Sequence, residues 1–246
     1  MSRADRRLDP FEGPAVAVAR HAAAVVIASG LRCLARLDIS DLPLPPDVGR
    51  RPLLVTNHRS PLDYCAVVAS CWSVRRWPSM FARDDFFHPP LARFALRTLG
   101  LIPASRGREA SDGLRRAMRL LDDGRIVAIA AEGGLVRPED RPDGVGRIRG
   151  GAGRLAQHGA DVTVLTITGA DAIWHPGARL PRFAAPWNRP TITIRACRLD
   201  IDPTWAPSQT NAAIRAAMVD LVAHDSPTGR PVPDDRTTSD VTHARS

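Results

Sequence analysis

The sequence predicts an α/β domain: a mixed, largely parallel sheet flanked by helices, preceded by one N-terminal helix. Three observations point to it. Short apolar or β-branched runs alternate with helical patterns from Pro52 onward, the order that places crossover helices against a parallel sheet. The 246 residues, 44% of them hydrophobic, suffice for one large core. No internal repeat or low-complexity block breaks the alternation.

Taken in order, residues 1–40 hold an arm and an apolar or amphipathic helix. Ala15 to Leu37 is alanine-rich but carries Arg20, His21, Arg32 and Arg36, and its longest uncharged run, Ala22 to Leu31, is only about half the length of a membrane-spanning helix. The pattern fits a helix lying on a membrane surface and a helix docked on a core equally well. A signal peptide's charged region, apolar stretch and cleavage site are not found in sequence there. Asp38 to Arg51, with Pro43, Pro45 and Pro46, reads as a linker, which sets the main domain at residues 41–225. Residues 226–246, rich in Pro, Asp, Arg, Thr and Ser, read as a disordered tail.

Within the main domain, Pro52 to Thr56 is a strand and Ser60 to Ser73 a helix. Met80 to Ala82 is a second strand, followed by a helix to Leu99 and the apolar run Leu101 to Ala104. Glu109 to Leu121 is an amphipathic helix with Leu114, Met118 and Leu121 on one side, and Ile126 to Ala131 a buried strand. Beyond a glycine-rich loop come a helix from Gly151 to Gln157, strands at Val162 to Thr168 and Thr191 to Cys197, and a last helix from Ser208 to Ala223.

The net charge of +8 and pI of about 10.8 favour anionic partners. All 34 basic residues are arginine, the side chain suited to bidentate phosphate contacts. Aromatic residues make up only 5%, and Tyr64 is the sole tyrosine, so nucleic acid is not an expected partner. Cys33, Cys65, Cys71 and Cys197 form no C-x-x-C pair and read as reduced thiols. The seven histidines lack metal-ligand spacing, and no metal is expected.

Three places carry chemistry. Asn57-His58-Arg59-Ser60-Pro61-Leu62-Asp63 lies where the first strand gives way to a helix, with Ser60 placed to cap it. There Asp63 either orients the His58 ring, leaving one nitrogen to accept a hydroxyl proton, or completes a helix cap. Arg106, beyond Leu101 to Ser105, suits either a phosphate contact or a solvated loop. Glu132-Gly133-Gly134 follows the strand ending at Ala131, and its glycines permit close approach of backbone N–H groups to a ligand or a plain turn. All three follow strand-like runs, and ligands of open α/β sheets bind at the carboxyl ends of strands.

In their order these residues resemble the glycerolipid acyltransferases typified by 1-acylglycerol-3-phosphate (lysophosphatidate) acyltransferase. Asn57, His58, Ser60 and Asp63 match that family's Asn-His-x-Ser-x-x-Asp motif. Phe81-Ala82-Arg83 with Asp84-Asp85-Phe86, then Gly100-Leu101-Ile102-Pro103 with Arg106, resemble its second motif. Glu132-Gly133 stands where its Glu-Gly-Thr-Arg begins, and Arg149, Gly151, Ala152, Leu155 and Ala156 resemble the basic residue, glycine and helix that follow. The likeness spans Pro52 to Gly169. Gly134 and Leu135 replace the Thr and Arg of the third motif, and Thr163 and Thr166 stand where the fourth often has proline.

The resemblance implies an O-acyltransferase with His58 as general base and Asp63 as its orienting partner. It further implies that Arg106 and the Glu132 turn, with Gly133, Gly134, Asn57, Ser60 and Arg149, bind substrate. The donor is acyl-CoA or acyl carrier protein as co-substrate, with no bound cofactor, and the acceptor a lysophospholipid, lysophosphatidate first. A different hydroxylated lipid or metabolite is the alternative acceptor. The implied location is the cytoplasmic face of a membrane, peripheral or monotopic. A non-catalytic anion-binding protein is the reading from another class. A thioester hydrolase is disfavoured by the lack of a G-x-S-x-G elbow.

Overall fold

The structure, a computed structural model, describes residues 13–39, 51–105 and 110–224. The predicted tail, residues 40–50 of the predicted linker and Arg106 lie outside the described residues. In chain order the elements are α1 (Pro14–Leu34), β1 (Arg36–Ile39), β2 (Pro52–Thr56), α2 (Asp63–Ser73), β3 (Ser79–Arg83), α3 (Pro90–Thr98), β4 (Ile102–Ala104) and α4 (Ala110–Asp122). They continue with β5 (Val127–Ala130), α5 (Gly150–Gln157), β6 (Asp161–Thr168), α6 (Ala170–Ile173), β7 (Thr191–Leu199) and α7 (Pro207–His224).

Among the described residues, seven strands form one sheet in the order β1-β7-β6-β2-β5-β3-β4. Neighbours are parallel except β6 and β7, so β1 and β7 run against the other five. β2 is central, and every one of its residues is buried. That burial requires cover on both faces, as parallel sheets generally do. Successive strand residues supply it from opposite sides. Leu54 packs with Ala28 and Leu31 of α1 and with Ala66 and Val67 of α2, while Leu53 and Val55 pack with Leu121 of α4, Leu155 of α5 and Ile214 and Met218 of α7.

At the start of the sheet a boundary differs from the sequence reading. Asp38 and Ile39, assigned to a linker, lie in β1, which pairs in parallel with β7 from Arg36↔Thr191 to Ile39↔Ile194. Four residues are too short to announce a strand, and the nearby prolines dominate the pattern. Asp38 is held in place by Arg195 Nη2 of β7 at 2.8 Å.

α1 is long and apolar enough, by length and composition, to cross a membrane. One stripe, Ala24, Ala28 and Leu31, is buried, and Arg20 Nε donates to the Thr98 carbonyl at 2.7 Å. Away from that stripe, Val18, Val25 and Val26 are exposed. One face of the helix thus docks on the domain, and another leaves apolar side chains exposed.

The four cysteines are free thiols. Cys33 is exposed, whereas Cys71 is completely buried, which pushes its thiol up to about 12 because the interior disfavours the thiolate. The thiolate is the reactive form. At about pH 8 a water-soluble disulfide reagent is therefore expected to label Cys33 rapidly and Cys71 only at the rate of global unfolding. Equal labelling of both in the native protein would contradict this packing of α2.

Candidate active site

β2 ends at Thr56, and side chains then shape the turn that leaves the sheet. Asn57 is fully buried; its Nδ2 donates to the Ile167 carbonyl at 2.9 Å and its Oδ1 accepts from the Ile167 N–H at 2.8 Å. A side-chain amide thereby continues the β2–β6 ladder for one further rung, so the main chain turns away without orphaning Ile167. Both polar ends of Asn57 are committed to backbone.

The next constraint is Asp63. Its Oδ2 accepts from the Arg59 N–H at 2.6 Å, the Ser60 N–H at 2.8 Å and His58 Nδ1 at 3.1 Å. A carboxylate oxygen accepts only, so Nδ1 carries the hydrogen and Nε2 is left with its lone pair. The sequence left open whether Asp63 orients the histidine or caps the helix, and one oxygen does both. Asp63 is 2% exposed and the His58 side chain 27%, so the pair is buried at its base and open at the ring. Asp63 Oδ1 is buried and has no hydrogen-bond partner among the described residues.

Ser60 does not cap α2 as expected. The helix begins at Asp63, because the carboxylate draws the N–H groups of Arg59 and Ser60 back into the preceding turn. Ser60 Oγ instead accepts from Leu62 N–H at 3.2 Å and donates to the Trp174 carbonyl at 2.8 Å, tying the His58 turn to the segment after α6.

Glu132 follows β5, next to β2 in the sheet. Its carboxylate spans two backbones: Oε2 accepts from the His58 N–H at 2.7 Å and Oε1 from the Gly146 N–H at 2.6 Å. Val136 N–H donates back to the His58 carbonyl at 3.0 Å, so His58 is gripped at both its backbone polar groups. Gly133 has φ of +71°, and a Cβ there would stand 2.9 Å from Arg149 Cγ. The glycine permits both the turn and the close passage of Arg149, which is exposed at the start of α5. Gly134 is exposed with open space where a Cβ would be, and Leu135 beside it is 43% exposed.

Two buried arginines were not singled out by the sequence reading. Arg59 Nη2 donates to the Gly144 carbonyl, and burial, followed by the charge of Arg141, lowers its pKa. Arg141 Nη2 donates to Asp171 Oδ2 at 2.6 Å. Together with Glu132 they fasten the segment 136–149 over the His58 turn. Arg59 lay inside the recognised motif, but no local spacing marks a pair such as Arg141 and Asp171, 30 residues apart.

The structure therefore brings together Asn57, His58, Ser60, Asp63, Glu132, Gly133 and Arg149 at the carboxyl edge of the parallel strands; Arg106 lies outside the described residues. A histidine pinned by a buried carboxylate at that edge is the layout of an α/β enzyme centre. The sequence profile described as Acyltransferase matches residues 39–169, more than half of the chain, and the chain belongs to that family. In structure it is similar to the 1-acyl-sn-glycerophosphate (LPA) acyltransferase PlsC from Thermotoga maritima, with a TM-score of 0.61 and 14% identity over 85% of this chain and 82% of that one. No curated protein matches it.

The two bonds of Glu132 make a direct prediction. Glu132→Gln places an NH2 group opposite one of the two backbone N–H donors, so the variant is expected to lose about 1–3 kcal/mol of stability. Amide exchange at His58 and Gly146 should accelerate more than at Leu53 or Val55. Unchanged exchange at both would show that the carboxylate does not hold these loops.

Proposed function

We propose that this acyltransferase moves a fatty acyl group from acyl-CoA or acyl carrier protein to a hydroxyl of a lysophospholipid, with 1-acylglycerol-3-phosphate as first acceptor and phosphatidate as product. The observation that carries the reading is the Nδ1-to-Asp63 bond, which leaves His58 Nε2 as acceptor at the open end of the pair. The acceptor hydroxyl gives its proton to Nε2 as its oxygen attacks the thioester carbonyl. The tetrahedral oxyanion then collapses, the C–S bond breaks, and the imidazolium returns the proton to the departing thiolate. A thioester is already activated, so neither a covalent enzyme intermediate nor a bound cofactor is needed.

The remaining roles follow in the same reading. Arg106 and Arg149, with the backbone of Gly133 and Gly134, hold the acceptor's phosphate, and arginine forks suit its oxygens. Asn57, Ser60 and Glu132 act through the backbone they bind, keeping the His58 turn in register with that site. The catalytic domain, whose sheet takes in β1 as well as the later strands, works in this reading at the cytoplasmic face of a membrane. Leu135 favours a second acceptor reading, a different hydroxylated lipid, because it stands where the related motif carries a phosphate-binding arginine and is partly exposed.

The test offers purified full-length protein labelled acyl-CoA with lysophosphatidate, other lysophospholipids or water alone. Transfer to lysophosphatidate should fall about 10²- to 10⁴-fold in His58→Ala while its circular dichroism and melting stay native. Transfer only to another acceptor moves the substrate and keeps the chemistry. Full activity in His58→Ala would overturn the mechanism.

A further inference from the structure

Between α6 and β7 the chain makes a long excursion at the edge of the sheet where β6 ends, and this segment carries an unusual surface. Within eight residues it exposes Leu180 (76%), Phe183 (77%) and Trp187 (82%). Exposed apolar residues scattered singly need no explanation, but three large ones concentrated within eight residues of one loop do. The loop is not loosely held. Trp174 Nε1 donates to the Ala178 carbonyl at 2.9 Å, Arg182 N–H to the Ile173 carbonyl at 2.7 Å, and Arg189 Nη1 to the Arg32 carbonyl at the end of α1 at 2.6 Å. Pro176, Pro181, Pro186 and Pro190 further restrict it.

Charge identifies the occupant. Arg179 and Arg182 are exposed beside the apolar side chains, and no acidic residue occurs between Asp171 and Asp200. Arginine flanking leucine, phenylalanine and tryptophan is the chemistry of an anionic bilayer interface: the rings and the leucine enter the acyl boundary while the guanidinium groups meet headgroup phosphates. The loop presents exposed arginine and no carboxylate, the sign that complements an anionic headgroup layer. The loop is also coupled to the reaction centre, since Ser60 Oγ holds the Trp174 carbonyl at 2.8 Å.

We infer that residues 178–188 are a membrane-docking loop that inserts Leu180, Phe183 and Trp187 into an anionic bilayer beside the His58 turn. This rests on the proposed action on lipid and adds a contact distinct from the exposed face of α1. The loop sets how the open end of the centre meets the surface from which an amphipathic acceptor enters.

The test is sedimentation of the full chain with vesicles of phosphatidylcholine alone or with about one third phosphatidylglycerol, together with acyl transfer to a short-chain lysophosphatidate dispersed as monomers. Leu180→Ser, Phe183→Ser and Trp187→Ser combined should weaken binding to the anionic vesicles at least about tenfold. R179Q with R182Q should weaken it about fivefold per arginine and leave binding to neutral vesicles unchanged. Turnover of the dispersed acceptor should be unaffected in both. Quenching by brominated lipid, present in the wild type and reduced in Trp187→Phe, gives the same answer without a heavily altered chain. Wild-type vesicle binding by the triple variant, or quenching unchanged by Trp187→Phe, would overturn the docking loop. A wild type inactive on the dispersed acceptor would instead overturn the acceptor assignment, and the vesicle result would still decide the loop.

Discussion

One buried oxygen atom, Asp63 Oδ2, organises the reaction centre. It collects the N–H groups of Arg59 and Ser60 and Nδ1 of His58, all within 3.1 Å. The first two bonds close the turn that carries the chain from the sheet to α2, and the third orients the histidine. Because α2 starts at the same residue, the carboxylate also sits at the positive end of that helix, where its charge is favoured. Fold and chemistry thus share an anchor, and displacement of Asp63 would move the ring, the turn and the helix start together.

A second layer of charge supports this anchor from the other side. Glu132 fixes the His58 and Gly146 N–H groups, while Arg59 and Arg141 fasten the same overlying segment through Gly144 and Asp171. Burying such groups is costly unless they are paired. For Arg59, burial and then the neighbouring Arg141 both lower its affinity for its proton, while Asp171, Glu132 and Asp63 offset them in part. These groups contribute geometry more than net stability. They span breaks in regular structure that apolar packing alone would leave free to slide.

Much of the sheet was legible in the sequence because strands such as Leu53 to Val55 and Val127 to Ala130 are short apolar runs between helical patterns. The Asn57 to Asp63 cluster was legible because its parts are local. β1 was hidden by its length and by the prolines beyond it. The start of α2 was misplaced because Ser60 has the composition of a cap, while the decisive bonds run backward from Asp63. Asn57 was read as a substrate contact, yet its amide bonds Ile167, 110 residues away, a pairing that no spacing rule anticipates. The Arg141–Asp171 pair was invisible for the same reason.

The account rests on the hydrogen of the His58 ring being held on Nδ1 by Asp63. Long-range ¹H–¹⁵N spectra of the histidine rings, recorded at about pH 8.5, two units above an ordinary imidazole, measure this directly. The prediction is a His58 ring protonated at Nδ1 and bare at Nε2, with the two tautomers mixing in Asp63→Asn. A wild-type ring protonated at Nε2 would contradict the account, because no nitrogen would then be free to accept a proton at the open end of the pair.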